Sequence, residues 1–496
     1  METTQMHAAA NVAPTATTAP AAAPATLRSY QDLPGPRAVA LFGNALQIDM
    51  PQAHLQFEAW CREYGALFKV RMGSRKLLVV GEHELIAKIL RDRPDGFGRS
   101  DRLQEMWHEM GLPGGVFSTN GEVWKRQRRM VLSSFDPAHV KNYFPALQSV
   151  AQRLCGRWQK AAAAGQAIDL QADLMRFTVD TIAGLAFGAE VNTLESDQDV
   201  IQQHLDKIFP ALFSRIFAVV PVWRIRRSAS DKQLEKSVHE VMLAVDGFVA
   251  QARVRMQADP GLHQHPTNLL EAMIAAADQP DSGIDDSQVA GNVLTMLLAG
   301  EDTTANTLAW MIHLLWLNPA TLALATAEVR RVCVGSSVPT LEQLSQLDYV
   351  EACAHETMRL KPVAPQIPQQ AHKDTVVGDV MVPAGTIVIC LMRTDSVSDA
   401  HIAQADRFAP ERWLGQGELA HSSSSAKRIA MPFGAGPRIC PGRYLALLEM
   451  KMAMAILLLN FDIQSVSTPD GKPARELLKF TMTPVGLKMQ LAARQM

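Results

Sequence analysis

A chain of 496 residues with 47% apolar content can build one large domain whose core encloses a cofactor. Its 48 basic and 50 acidic side chains nearly cancel, which argues against a general nucleic-acid binder. The six cysteines, Cys61, Cys155, Cys333, Cys353, Cys390 and Cys440, are scattered and no C-x-x-C-H occurs, so a disulfide scaffold, a zinc cluster and a covalent c-type haem are not expected.

Residues 1–28, rich in Ala, Thr and Pro, read as a disordered tail, and 29–496 as one domain without repeats. The opening lacks both a bilayer-spanning apolar run and a secretory signal pattern. A cytoplasmic protein without a transmembrane segment is expected. After Pro34-Gly35-Pro36 the pattern predicts a helix over 52–64 and strands over 67–72 and 76–80. From 82 to 362 the periodicity is mostly helical, with clear stretches at 144–160, 170–186 and 232–257. Pro145 suits the first turn of its helix, where a missing N–H costs little. The apolar stretch 207–223 is interrupted by Pro210 and Pro221; a pocket lid, a peripheral membrane contact and plain buried core all fit it. The longest helix is predicted over 285–316 and another over 341–360. Short strands follow at 375–377, 380–382 and 386–390, a helix at 442–458, and strands near 461–466 and 485–491. The whole reads as mainly α with a small β region.

The most informative segment is Phe433-Gly-Ala-Gly-Pro-Arg-Ile-Cys-Pro-Gly442. Alone, a cysteine before a helix is usually a small buried apolar residue. Here Phe433, Gly436, Arg438, Cys440 and Gly442 match F-x-x-G-x-R-x-C-x-G, and the chain from about residue 30 onward resembles soluble, bacterial-type cytochromes P450. The resemblance implies the P450 fold, a non-covalent haem b and Cys440 as the iron's thiolate ligand, an electron-rich donor that favours O–O cleavage. It gives Arg438 to a haem propionate as a charge-assisted partner and Phe433 to shielding the sulfur. Glycines let the backbone pass close to a flat ring.

Ala299-Gly-Glu-Asp-Thr-Thr304 on the long helix resembles the family's oxygen-side segment. Gly300 would make room for dioxygen, Thr303 would hydrogen-bond the bound oxygen or its water, and Asp302 would relay protons. Glu301 points elsewhere on a helix and ranks below Asp302. Thr303 can also bond the carbonyl of Ala299 and bend the helix. Glu356-x-x-Arg359 has helical spacing, and the resemblance adds Arg412, from Phe408-Ala-Pro-Glu-Arg-Trp413, as a third member of a structural clamp. Trp124 and Arg128 match the W-x-x-x-R helix whose residues contact a propionate. One departure stands out. Many members carry Arg or His five residues before the aspartate matching Asp374, whereas this chain has Gln369, with His372 as a nearby substitute.

The resemblance implies a monooxygenase acting on a hydrophobic small molecule with dioxygen. A peroxide-driven hydroxylase and a haem-based sensor are the rivals, and the Asp302-Thr303 pair argues against both. Candidate pocket-lining segments are 94–118, 207–223, 292–303, 361–368 and the stretch near Met482. No flavin or iron–sulfur motif accompanies the haem motifs, so a separate ferredoxin or flavodoxin with its reductase is expected as donor. Lys125, Arg126, Arg129, Lys427 and Arg428 are the basic residues expected to dock it.

Overall fold

The computed structural model describes residues 27–494 apart from 136, 190, 196–199, 336 and 416–422. The expected tail lies outside the described residues, except that Leu27 and Arg28 are described and Arg28–Ser29 already pairs as a strand with Val380–Val382.

The organising element is the helix Asp286–Leu317, about 48 Å long at 1.5 Å per residue. It starts at a capping box: Asp285 accepts from the Gln288 N–H, and the Gln288 side chain accepts from the Asp285 N–H. It stops at Asn318 because Pro319 opens the next helix, Pro319–Val332. Helix Leu170–Phe187 packs along one side, and Asp348–Leu360 and Arg443–Asn460 along others. Apolar residues of these helices, including Phe177, Leu308, Met358 and Met452, form one buried core.

A five-stranded sheet covers one flank, in the order Leu67–Met72, Arg75–Val80, Ile387–Leu391, Gln366–Ala371 and Phe97–Gly98. Sequence patterning misses the strand Gln366–Ala371 because Pro368 breaks the pattern. Pro368 is tolerated because the Phe97–Gly98 strand pairs only with Ala371 and Gln370, leaving no N–H required on that side. The C-terminal strands Phe461–Ser467 and Lys488–Ala493 pair antiparallel, and the hairpin Glu476–Leu478 with Met482–Pro484 reaches back to the long helix.

Three further expectations need correction. The helix carrying Pro145 begins at Pro137 and runs to Ala163, so Pro145 sits inside it and not in its first turn. The stretch around Pro210 is not broken there: one helix runs Val200–Phe217, and only Pro221 divides it from the short helix Val222–Ile225. The segment expected as one helix over 341–360 is two, Leu341–Ser345 and Asp348–Leu360. The break is held by the Glu328 carboxylate, which accepts from the Tyr349 and Val350 N–H groups at 2.8 and 2.9 Å and so caps the second helix. No single helix among the described residues is long and apolar enough to cross a membrane.

Candidate active site

The cysteine loop turns on two left-handed glycines, Gly434 (φ 75°) and Gly436 (φ 70°). A Cβ on Gly436 would strike the Leu90 carbonyl and come within 2.7 Å of Arg91 Cα, so only glycine lets the loop lie on helix His83–Arg91. The Cys440 N–H donates to the Phe433 carbonyl at 3.0 Å, which closes the loop. Burial pushes the Cys440 thiol up; the Gly442 N–H and the charges of Arg128 and Arg443 act against that and favour the thiolate. The Phe433 ring is half-buried against the main core. Arg443, unnoticed in the sequence, begins helix Arg443–Asn460 beside the sulfur.

Next to this loop four arginines crowd together. Burial first, and neighbouring arginines after it, lower Arg438 to about 8, Arg99 to about 9 and Arg93 to about 10. Arg128 is lowered as well, again by burial first. Arg438 donates to the carbonyl of Thr119 at 2.6 Å and to Asn120 Oδ1 at 2.9 Å, and lies 4.3 Å over the Trp124 ring. Its Nε and Nη1 and the Nε of Arg128 are buried with no hydrogen-bond partner. Like charges this close, with donors left over, call for anionic oxygens between them. The carboxylates of a haem would supply them, so the residues present fit that group. Arg128 departs from expectation in one respect: it already donates to the Ile439 carbonyl, beside the cysteine.

The Gln369 departure also has a structural answer. Gln369 is fully buried, its amide on the adjoining Pro368 carbonyl, and cannot serve as a cation. Gly98 pairs with Gln370 in antiparallel register, so Arg99 follows opposite Gln369 on the same face. Arg99 uses Nε on the Phe117 carbonyl and stacks over the Phe117 ring at 4.3 Å. A cation is thus available from Arg99, just beyond the end of the facing strand Phe97–Gly98. His372 is exposed and lies against Gly98.

On the long helix, residues from Val289 to His313 are buried except Ala299, Gly300, Asp302 and Thr303. That opening marks the oxygen-side segment. Thr303 donates to the Ala299 carbonyl and Thr307 to the Thr303 carbonyl, both at 2.8 Å, the back-bonding that bends a helix. Asp302 Oδ1 accepts from Asn306 at 2.5 Å, and Oδ2 accepts from the Thr481 hydroxyl of the C-terminal hairpin. Burial raises the Asp302 carboxyl, with Thr481, Asn306 and Lys479 opposing. Asp302, Glu301, Gln171, Lys479 and Thr481 line a cavity of about 310 Å³. A Cβ on Gly300 would meet Ile182 at 3.0 Å, so its missing side chain lets helix Leu170–Phe187 pack close.

The expected clamp is complete. Glu356, Arg359 and Arg412 are at most 1% exposed. Arg359 grips Glu356 bidentately at 2.8 Å twice, Arg412 Nε adds a bond at 3.1 Å, and the Trp413 indole donates at 2.8 Å. Burial works against the Glu356 charge, yet Arg359 and Arg412 hold the carboxyl below its ordinary range. Arg359 also donates to the carbonyls of Ser396, Ala405 and Arg407, tying down the segment before the cysteine loop. The proposed docking residues divide. Arg129, Lys427 and Arg428 are exposed; Arg126 is half-buried against Gly283; Lys125 is paired with Glu122 at 2.8 Å and Asp95 at 3.9 Å.

The sequence reading missed Glu449. It is buried on helix Arg443–Asn460, hydrogen-bonded to Thr304, and burial pushes its carboxyl up to about 8. It joins the helix behind Cys440 to the oxygen-side helix.

The family described as cytochrome P450 matches residues 33–491. The chain is 25% identical over 443 residues to the Arabidopsis thaliana protein named LUTEIN DEFICIENT 5, chloroplastic, covering 87% of this chain and 72% of that protein. It is 25% identical over 448 residues to carotene epsilon-monooxygenase, chloroplastic, of the same plant, covering 88% and 81%. Against a bifunctional cytochrome P450/NADPH–P450 reductase of Bacillus cereus it is 27% identical over 443 residues, 87% of this chain but 40% of that protein. A family match over nearly its whole length, on a mainly helical fold whose cysteine loop and arginine cluster fit a haem, places this chain in the cytochrome P450 family of haem-thiolate monooxygenases.

Proposed function

We propose that this chain inserts one atom of dioxygen into a hydrophobic small molecule, with electrons from a separate ferredoxin or flavodoxin served by its reductase. The observation that carries the reading is Asp302, a half-buried residue beside Thr303 whose burial-raised carboxyl also forms part of the wall of a cavity lined by both polar and apolar side chains. Haem, when bound, supplies the oxidising chemistry. Cys440 would hold the iron, and Trp124, Arg128, Arg438 and Arg99 the propionate edge. Thr303 donates its own proton to Ala299, so its oxygen is left as an acceptor toward the ligand side. Asp302 takes protons at Oδ2 from the cavity and passes them toward Thr303; a peroxide-driven enzyme needs no such inlet.

A hydrophobic substrate is supported by a run of aromatic rings above the site. Phe117 lies 5.7 Å from both Trp107 and Phe480, and Phe480 stacks on Phe209 at 4.3 Å. The name carotene epsilon-monooxygenase of one relative fits the same class. The test is turnover of a hydrophobic library under ¹⁸O₂ with a ferredoxin and its reductase. One labelled oxygen in the product, lost in Cys440→Ala together with the thiolate signature of the reduced carbon monoxide complex, is expected. Equal product from peroxide without reductant would overturn the dioxygen reading, and ligand-induced spectral change without any product would favour a sensor.

A further inference from the structure

We infer that His83, Asp395 and His401 form a second metal site, suited to a borderline divalent cation such as Zn²⁺ and separate from Cys440. His83 opens helix His83–Arg91, Asp395 opens the turn Asp395–Val397, and His401 follows it. One donor atom from each lies within 4.8 Å of the other two. Asp395 Oδ2 is 2.8 Å from His83 Nδ1, and Oδ1 is 3.5 Å from His401 Nε2. Zinc bonds of about 2.1 Å at tetrahedral angles set neighbouring donors roughly 3.4 Å apart, so small side-chain shifts bring the three into position. Two imidazoles and a carboxylate match the preference of zinc, with water as a fourth ligand.

The two imidazole rings meet edge to face beside Asp395, with centroids 5.2 Å apart and planes at 74°, and do not stack. His83 is 6% exposed, and its Nδ1, the ring nitrogen beside Asp395, is the donor this residue would give the metal. Charge is favourable as well: Glu82 and Glu84 flank His83 and offset the positive end of its helix. His401, whose side chain is 37% exposed, leaves the site open to solvent.

The site would act as a staple. The far end of helix His83–Arg91 lies under Gly436 of the cysteine loop, and Ser396, next to Asp395, is held by Arg359 of the clamp. A metal would tie these two supports together. The test uses the haem-loaded protein, treated with chelator and titrated with Zn²⁺ by calorimetry, with the thermal midpoint followed in parallel. One zinc per chain is expected, with a rise in midpoint that chelator reverses. Exposed His401→Ala, which disturbs folding least, should weaken binding about tenfold or more and abolish the rise. His83→Ala and Asp395→Asn should behave alike, with the haem spectrum unchanged in His401→Ala. No zinc uptake, or uptake unchanged by His401→Ala, would overturn the site and leave a hydrogen-bonded cluster.

Discussion

Two carboxylates show how differently the two sides of this site are built. Glu356, behind the cysteine loop, accepts hydrogen bonds from Arg359, Arg412, Trp413 and the Ala409 N–H, and nothing in its surroundings is left to move. Asp302, on the oxygen side, is held by one amide and one hydroxyl, and forms part of a cavity wall. Glu356 is kept charged by two arginines although buried, whereas Asp302 is raised by burial with only neutral partners and the more distant Lys479 to oppose it. A saturated, permanently charged carboxylate is scaffold. An under-coordinated one with a raised affinity for protons can exchange them.

The sharpest break in that comparison is Glu356→Ala. It strands two guanidinium groups in a fully buried pocket, and breaking such a pair costs about 3–5 kcal/mol. The expected outcome is little haem-loaded protein, with the denaturant midpoint of any recovered fraction sharply lowered. A loss below about 1 kcal/mol, the size of a surface pair, would refute the scaffold role.

The next effect concerns Glu449, which lies between the two sides. Its folded value of about 8, against 4.5 ordinarily, means the folded chain binds this proton more tightly than the unfolded chain. The stability tied to that proton is full below the ordinary value and is lost as pH rises toward about 8. Glu449→Gln carries no ionisable group, so its stability should gain on the parent between pH 5 and 8 and keep a level advantage above. At about 1.4 kcal/mol per pH unit the advantage reaches several kcal/mol. Parallel stability curves for the two proteins across that range would show that Glu449 titrates normally.

Legibility in the sequence follows the same division. The cysteine loop, the clamp pair and the acid–alcohol pair each sit within a few residues, so resemblance to the family's short motifs exposes them, although the two pairs mean little in isolation. The strands over 67–72, 375–377 and 380–382 are also found where patterning puts them, since their turns carry Gly73 and Gly378 with positive φ. What stays hidden depends on residues far apart in the chain. Thr481 meets Asp302 across 179 positions, Glu449 meets Thr304 between two separate helices, and Arg99 replaces a cation at Gln369 only because their strands pair. That Gly300 packs against Ile182 of another helix is hidden for the same reason. The helix break at Gln346-Leu347 was missed because its cap, Glu328, comes from another helix.

Thr481→Val sharpens the oxygen side. It removes the one hydroxyl that donates to Asp302 Oδ2 and leaves the cavity shape nearly unchanged. A carboxylate that loses a donor holds its proton to higher pH, so the pH profile of product formed per electron pair should move upward. With Asp302→Asn the profile should flatten, and coupling should fall about tenfold. A Thr481→Val profile that overlays the parent would take the hairpin out of proton supply.

The smallest expected effect is on the outer surface of the cysteine side, where charge is exposed and screened. Electrostatic steering there changes how fast a donor arrives more than how tightly it binds. The structure ranks the basic residues. Lys125 already faces Glu122 and Asp95, so much of its field is cancelled before a partner approaches. Arg129, Lys427 and Arg428 are exposed and present theirs to solvent. Replacing Arg129 or Lys427 by Ala should therefore lower the second-order rate of first-electron transfer from a ferredoxin by roughly twofold to threefold, and Lys125→Ala by less. Stopped-flow reduction at several ionic strengths reads this directly, because the differences among variants should shrink as salt rises. Haem content should stay constant throughout, since none of the three belongs to the arginine cluster around the propionate edge. If Lys125→Ala slows transfer as much as Arg129→Ala does, the Glu122 pairing is not limiting its field; if all rates are indifferent to salt, the donor approaches elsewhere.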